Sequence, residues 1–85
     1  MTMEKLREEL AQLDPTSRAL LDLNLRRGME EGEIAEVLEV DAGEVSSRRE
    51  KALEQMASDL NLETREQRDE LRATLPDLPA DYWKG

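Results

Sequence analysis

The apolar residues of this chain recur at spacings of three and four, the period of an amphipathic helix, and nowhere alternate as in a strand. Leu6, Leu10 and Leu13 share one face of a predicted helix over 3–13, with Glu4, Lys5, Glu8 and Glu9 off that stripe. Asp14-Pro15 follows. Asp is a good N-cap, and Pro suits the first helical position, where its missing N–H has no partner to lose. A second helix is predicted over 15–27, and Leu20, Leu21, Leu23 and Leu25 make it the most apolar stretch of the chain. Arg26 and Arg27 suit a helix C-terminus, and Gly28 suits the left-handed position beyond it.

A short third helix is predicted over 31–39, with Ile34, Ala35 and Leu38 inward and Glu30, a poor residue for the purpose, at its N-cap. Val40-Asp41 breaks the pattern. Asp41 followed three residues later by Glu44 predicts a capping box opening a fourth helix over 42–59. Val45, Ala52, Leu53, Met56 and Leu60 recur there at helical spacing, while Ser46, Ser47, Arg48, Arg49 and Lys51 lie mostly on the other side. Asn61 is the candidate cap of a mostly polar fifth helix over 62–75, anchored by Leu71 and Leu75 and ended by Pro76 and Pro79. Residues 76–85 read as a tail that either docks through Leu78, Tyr82 and Trp83 or runs free. The expected fold is all-α, a small bundle of four to five helices containing a helix-turn-helix. Its expected organisation is a main domain over 1–60, an accessory C-terminal helix over 61–75 and the tail.

Composition narrows the function more by exclusion than by indication. Eighty-five residues are enough for one small domain. With no Cys and no His, disulfide scaffolds, Cys/His zinc sites and nucleophile–His catalysis are all excluded. No apolar run approaches the roughly 20 residues that a membrane helix needs, no basic-then-apolar leader precedes the domain, and there is no Asp-x-Asp-x-Asp-Gly loop for calcium. The expectation is a cytoplasmic protein that is not an enzyme, with no cofactor, no metal, no membrane partner and no small-molecule substrate.

What carries information is the stretch 28–56. A short helix, a three-residue turn and a longer helix form a helix-turn-helix when the first packs across the second. That needs a small residue in the first helix (Ala35), an apolar plug at the turn (Val40) and an apolar residue one turn into a capped second helix (Val45). Ile34, Ala35, Val40, Val45 and Leu53 are expected to converge on one interior.

Residues 10–60, about three-fifths of the chain, resemble region 4 of bacterial sigma factors, especially the extracytoplasmic-function type. The likeness rests on Leu13-Asp14-Pro15, Arg18-Ala19-Leu20-Leu21-Asp22-Leu23, Gly32-Glu33-Ile34-Ala35-Glu36-Val37-Leu38, Val45-Ser46-Ser47-Arg48 and Lys51-Ala52-Leu53. The resemblance implies binding of double-stranded DNA at the minus-thirty-five promoter element, with the helix over 42–59 in the major groove, and contact with RNA polymerase. Carried over position by position, the groove-facing residues would be Glu44, Ser46, Ser47, Arg48 and Lys51. Arg48 and Arg49 can donate to guanine edges or phosphates, and Ser46 and Ser47 are adaptable short donors. The candidate DNA-binding set is Ser46, Ser47, Arg48, Arg49 and Lys51.

The chain departs from that family in several places. Glu39 stands where the family usually has Gly, Glu30 where it has Ser, and Glu44 where it often has Thr. Region 2 is absent, so the expectation is a stand-alone region-4-like protein or an excised fragment.

Charge supplies the counterweight. The formal net charge is −9, and residues 30–59 hold ten acids against three cations. DNA affinity rests largely on neutralised phosphates, so such a segment would bind weakly and in a salt-sensitive way. The alternative expectation is a protein-interaction module of the same fold, its acidic surface directed at RNA polymerase or an anti-sigma-like regulator.

Overall fold

Several helix boundaries in the computed structural model, which describes residues 2–84, can be traced to a local capping solution. Helix α1 (Met3–Gln12) opens at Thr2, whose hydroxyl accepts the Lys5 N–H at 3.2 Å. Its last carbonyls are satisfied from outside: Arg18 Nη1 donates to the carbonyls of Leu10 and Leu13 at 3.2 and 3.4 Å. Helix α2 (Pro15–Leu21) opens at Asp14, whose carboxylate accepts the Ser17 N–H at 3.1 Å and the Ser17 hydroxyl at 2.8 Å. Those hydrogen bonds from Ser17 hold the Asp14 carboxyl below the usual carboxylate range.

The helix predicted over 15–27 is not α-helical throughout. From Asp22 to Arg26 it widens into a π-helical turn, in which the Arg27 N–H reaches the Asp22 carbonyl at 3.1 Å. The wider turn is fixed by its own side chains. Arg26 pairs with Asp22, and Asn24 Nδ2 donates to the Met29 carbonyl at 3.0 Å. Gly28 then turns the chain at φ 69°, the left-handed position anticipated for it.

Helix α3 (Glu31–Leu38) starts after Glu30, whose N–H is accepted by the Glu33 carboxylate at 3.3 Å, so the second acid compensates for the weak cap. It ends at Glu39, which is left-handed at φ 57°, and the Val40 N–H folds back to the Ala35 carbonyl at 3.0 Å. Helix α4 (Ala42–Asp59) begins where expected, but without the capping box. The Asp41 side chain makes no cap bond, and Glu44 turns instead to Arg48. Only the Asp41 backbone carbonyl serves the first turn, accepting from Glu44 and Val45 at 3.0 and 3.2 Å.

The fifth helix also differs from the expectation. Asn61 does not cap it; at φ 58° it closes α4, with Leu62 N–H to the Ala57 carbonyl at 2.9 Å and Asn61 N–H to Ser58 at 3.1 Å. This is the paired pattern of a Schellman motif, which Asn tolerates because its short side chain accepts the left-handed region. Helix α5 is therefore shorter, Arg65–Thr74, and is capped by a Thr64–Gln67 box with bonds of 3.1 Å in both directions. Two 3₁₀ turns follow, Leu75–Asp77 and Ala80–Lys84, and they dock the tail: Leu78 and Trp83 are buried and Arg7 lies over the Tyr82 ring, 5.3 Å from its centroid.

These elements make an all-α bundle with two apolar clusters. The larger gathers Leu6, Leu10, Leu21, Ala52, Leu53, Met56, Ala57, Leu62, Leu71, Leu75, Leu78 and Trp83. The smaller holds Leu20, Ile34, Ala35 and Val45, with Leu23, Met29, Leu38 and Val40 packed against it. No helix among the described residues is long and apolar enough to cross a membrane.

Two predictions follow from local chemistry. Glu39 holds a conformation that costs a residue with a Cβ about 1–2 kcal/mol. Part of that gain is offset by the greater freedom glycine gives the unfolded chain, so Glu39→Gly should stabilise the protein by roughly 0.5–1 kcal/mol in urea unfolding.

The second concerns Glu9 on α1, whose carboxyl is pushed up to about 7 by burial, by a hydrogen bond to Asp59 at the end of α4, and by the charges of Asp59 and Glu8. The folded chain thus holds the Glu9 proton more tightly than the unfolded chain, where the ordinary value is 4.5. The stabilisation is complete below that value and lost as pH rises through about 7. Glu9→Gln keeps a donor for Asp59 and removes the charge. Its urea midpoint should exceed the wild type's at about pH 8 and should lack the wild type's decline between about pH 5 and pH 8.

Candidate functional site

The pair formed by α3 and α4 is positioned by four of the five side chains expected to converge. Ile34, Ala35 and Val45 are buried together, and Val40 packs against them from the turn. Ala35, 8% exposed, has a methyl where a larger side chain would hold α3 away from its neighbours. Leu53 does not belong to this group: it lies two helical turns further along α4 and enters the larger cluster with Met56 and Leu71. The α3–α4 unit is therefore held at its corner by the smaller cluster, and the rest of α4 lies against α2 and α5, with α1 and the tail joining the same larger cluster.

With one face of α4 committed to the core, the residues spaced i, i+4, i+7 and i+11 from Glu44 come out on the opposite face: Glu44, Arg48, Lys51 and Gln55. With Ser47 they line an open cleft of about 560 Å³ whose other wall is Leu13, Asp14 and Ser17, at the junction of α1 and α2. Arg48 is anchored within it, donating from Nε and Nη2 to a single Glu44 oxygen, Oε1, at 3.1 and 3.0 Å. Lys51 is exposed and makes no ion pair among the described residues.

The predicted set is thus divided. Ser47, Arg48 and Lys51 share the cleft face. Ser46 and Arg49 do not line it. Arg49 is a brace between helices: its side chain is only 18% exposed, and it reaches Glu31 of α3 at 2.9 Å and Glu50 at 3.0 Å, with Ser46 Oγ at 3.5 Å. Burial alone would lower its pKa, but Glu50 and Glu31 more than offset this and raise it above the ordinary value. Glu50 shows the converse. Burial raises its carboxyl pKa, and Arg49 and Arg72 outweigh that to bring it below the usual range. Arg72 and Arg68 of α5 pair with Glu50 and Glu54 of α4.

The cleft holds two acids, Asp14 and Glu44, against two cations, Arg48 and Lys51, so its lining is close to neutral. Asp14, Ser17 and Gln55 were not among the predicted site residues. Gln55 is recoverable from helical spacing alone, whereas Asp14 and Ser17 need the α1–α2 junction to be folded against α4. Among the described residues no group of three or more potential ligands is arranged to hold a metal ion. No protein-family model, curated protein or solved structure matches the chain.

The division of the basic residues can be read in stability. Arg49→Ala removes the α3 contact and a half-buried stem, and should lower the unfolding free energy by about 1 kcal/mol. Lys51→Ala should stay within about 0.5 kcal/mol of wild type in the same urea titration.

Proposed function

We propose that the protein is a helix-turn-helix module that binds double-stranded DNA through α4, in the manner its sequence resemblance to sigma factor region 4 suggests. The observation that carries this reading is the outer face of α4. Glu44, Ser47, Arg48, Lys51 and Gln55 lie on the side of α4 away from its buried face and open onto the cleft beside Asp14 and Ser17, and a helix that enters a major groove needs such a polar side. The adjoining turn is short and tightly folded, so α3 accompanies α4 as a fixed unit. Working with RNA polymerase on promoter DNA, such a domain would act in the cytoplasm.

Electrostatics set the strength. Arg48 and Lys51 are the cations on this face, so about two phosphates would be neutralised, and log affinity should fall against log salt with a slope near −2. Binding of that kind is weak alone and becomes useful when the domain is tethered to a partner already on DNA.

A specific observation supports a second reading, a protein-interaction module. The exposed side of α3 carries Glu33, Glu36 and Val37, with Val37 60% exposed, and Glu36 and Glu39 make no ion pair among the described residues. This acidic surface with one apolar anchor suits a basic protein partner such as polymerase or an anti-sigma-like regulator.

Fluorescence anisotropy of a labelled duplex, titrated with protein at increasing salt, separates the two. DNA binding predicts saturable binding at low salt, a slope near −2, and a slope smaller by about one for Lys51→Ala. A flat titration at the lowest salt rejects that reading. Loss of polymerase capture by Val37→Asp, with its duplex titration unchanged from wild type, would favour the second.

A further inference from the structure

We infer that Arg72 of α5 controls how firmly α3 is held to α4, acting through a chain of four alternating charges, Glu31, Arg49, Glu50 and Arg72, that crosses three helices. The inference does not depend on what α4 binds. Each link of the chain uses its own atoms. Arg49 donates from Nη1 to Glu31 Oε1 at 2.9 Å and from Nε to Glu50 Oε2 at 3.0 Å, and Glu50 turns its other oxygen, Oε1, to Arg72 Nη2. All three pairs can therefore be made at once. Burial works against both central charges, and each is favoured in its charged form by partners on two sides: Arg49 by Glu50 and Glu31, Glu50 by Arg49 and Arg72.

Glu31 is the first residue of α3, so its pair with Arg49 ties the start of that helix to α4. With Arg72 in place, two acids are matched by two cations. Without it, Glu31 and Glu50 share the single Arg49 guanidinium. Glu50 is the chain neighbour of Arg49, whereas Glu31 stands on another helix, so in that competition α3 is the side that loses its hold. What α5 meets at Arg72 is thereby felt at the α3 surface that carries Glu33, Glu36 and Val37. The same helix supplies an internal comparison. Arg68 also pairs with a glutamate of α4, Glu54, and its side chain is as exposed as that of Arg72, 42% against 44%. Among the described residues Glu54 pairs with Arg68 alone, so that link ends on α4, while the Arg72 link continues to α3.

Amide hydrogen exchange of the full chain, followed residue by residue by NMR, tests this, because local opening of one helix is resolved from the rest. The exchange rates of the α3 amides are taken relative to those of α1, so that a change in global stability cancels. Arg72→Gln should raise that ratio about threefold, the size of effect one partly exposed ion pair commands. Arg68→Gln should leave it at the wild-type value. Adding Glu50→Gln to Arg72→Gln should bring the ratio back, because Arg49 is then left to Glu31 alone; damage confined to the packing of α5 would not be repaired by removing a second charge. If Arg72→Gln leaves the ratio where Arg68→Gln leaves it, or if Glu50→Gln does not restore it, the inference is overturned.

Discussion

One buried face of α4 is the constraint on which the rest of the structure depends, because both apolar clusters are built on it. Val45 enters the smaller cluster; Ala52, Leu53, Met56 and Ala57 enter the larger. Burying a side chain the size of Val45, Leu53 or Met56 is worth about 1.5–3 kcal/mol, so in a domain this small a handful of such residues decides whether it folds. α3 is fixed at one end of the helix and α5 toward the other, α2 contributes Leu20 and Leu21 to the two clusters, and α1 and the docked tail close the larger one. The outer face of α4 remains over after these demands are met. Its availability follows from packing and does not depend on any assumption about a ligand.

The charges are arranged around that same helix. Isolated surface ion pairs contribute about 0–1 kcal/mol each, and the pairs here are better understood as placing charge than as supplying stability. Arg49 answers Glu31 and Glu50, while Arg72 and Arg68 of α5 answer Glu50 and Glu54. The acids along the flanks of α4 are thereby neutralised on the sides that face other helices. With screening over roughly 8–10 Å, nearby charges matter more to a ligand on the outer face than the total of −9. The accessory helix α5 thus has an electrostatic part to play as well as a packing one.

Much of this was legible in the sequence, and the places where it was not share a cause. Apolar spacing located α1 and α4, Asp14-Pro15 located the start of α2, and Gly28 the end of the π turn that continues it, because each is a property of a few neighbouring residues. The π turn at Asp22–Arg26 was not legible, since the same leucine run fits an α-helix equally well and the wider turn is held by Asn24 and the Asp22–Arg26 pair. Asn61 misled because one residue type suits both a helix start and a left-handed helix end. The competing Thr64–Gln67 box was the better start signal. At the candidate site, Arg48 and Arg49 are chain neighbours of the same type. Their opposite fates, cleft and brace, follow from the 100° between consecutive helix positions, which places one beside Glu44 and the other toward Glu31.

Three left-handed residues end three helical segments, and they are not equivalent. Gly28 lacks a Cβ and Asn61 has a short polar side chain, so both accept that backbone readily; Glu39 has neither advantage. Its charge is also of the unfavourable sign for the C-terminus of α3, where the helix dipole is negative. Two local rules are therefore broken at one residue, and the conformation persists because Val40, immediately after it, is drawn into the cluster with Ile34, Ala35 and Val45. Strain of this kind tends to be kept where geometry serves a function. Here it lies in the turn that leads into α4, two residues before Asp41 and five before Glu44, the first residue of α4 to line the cleft. The least comfortable backbone position among the described residues thus stands in the turn between α3 and the helix whose polar side lines the cleft.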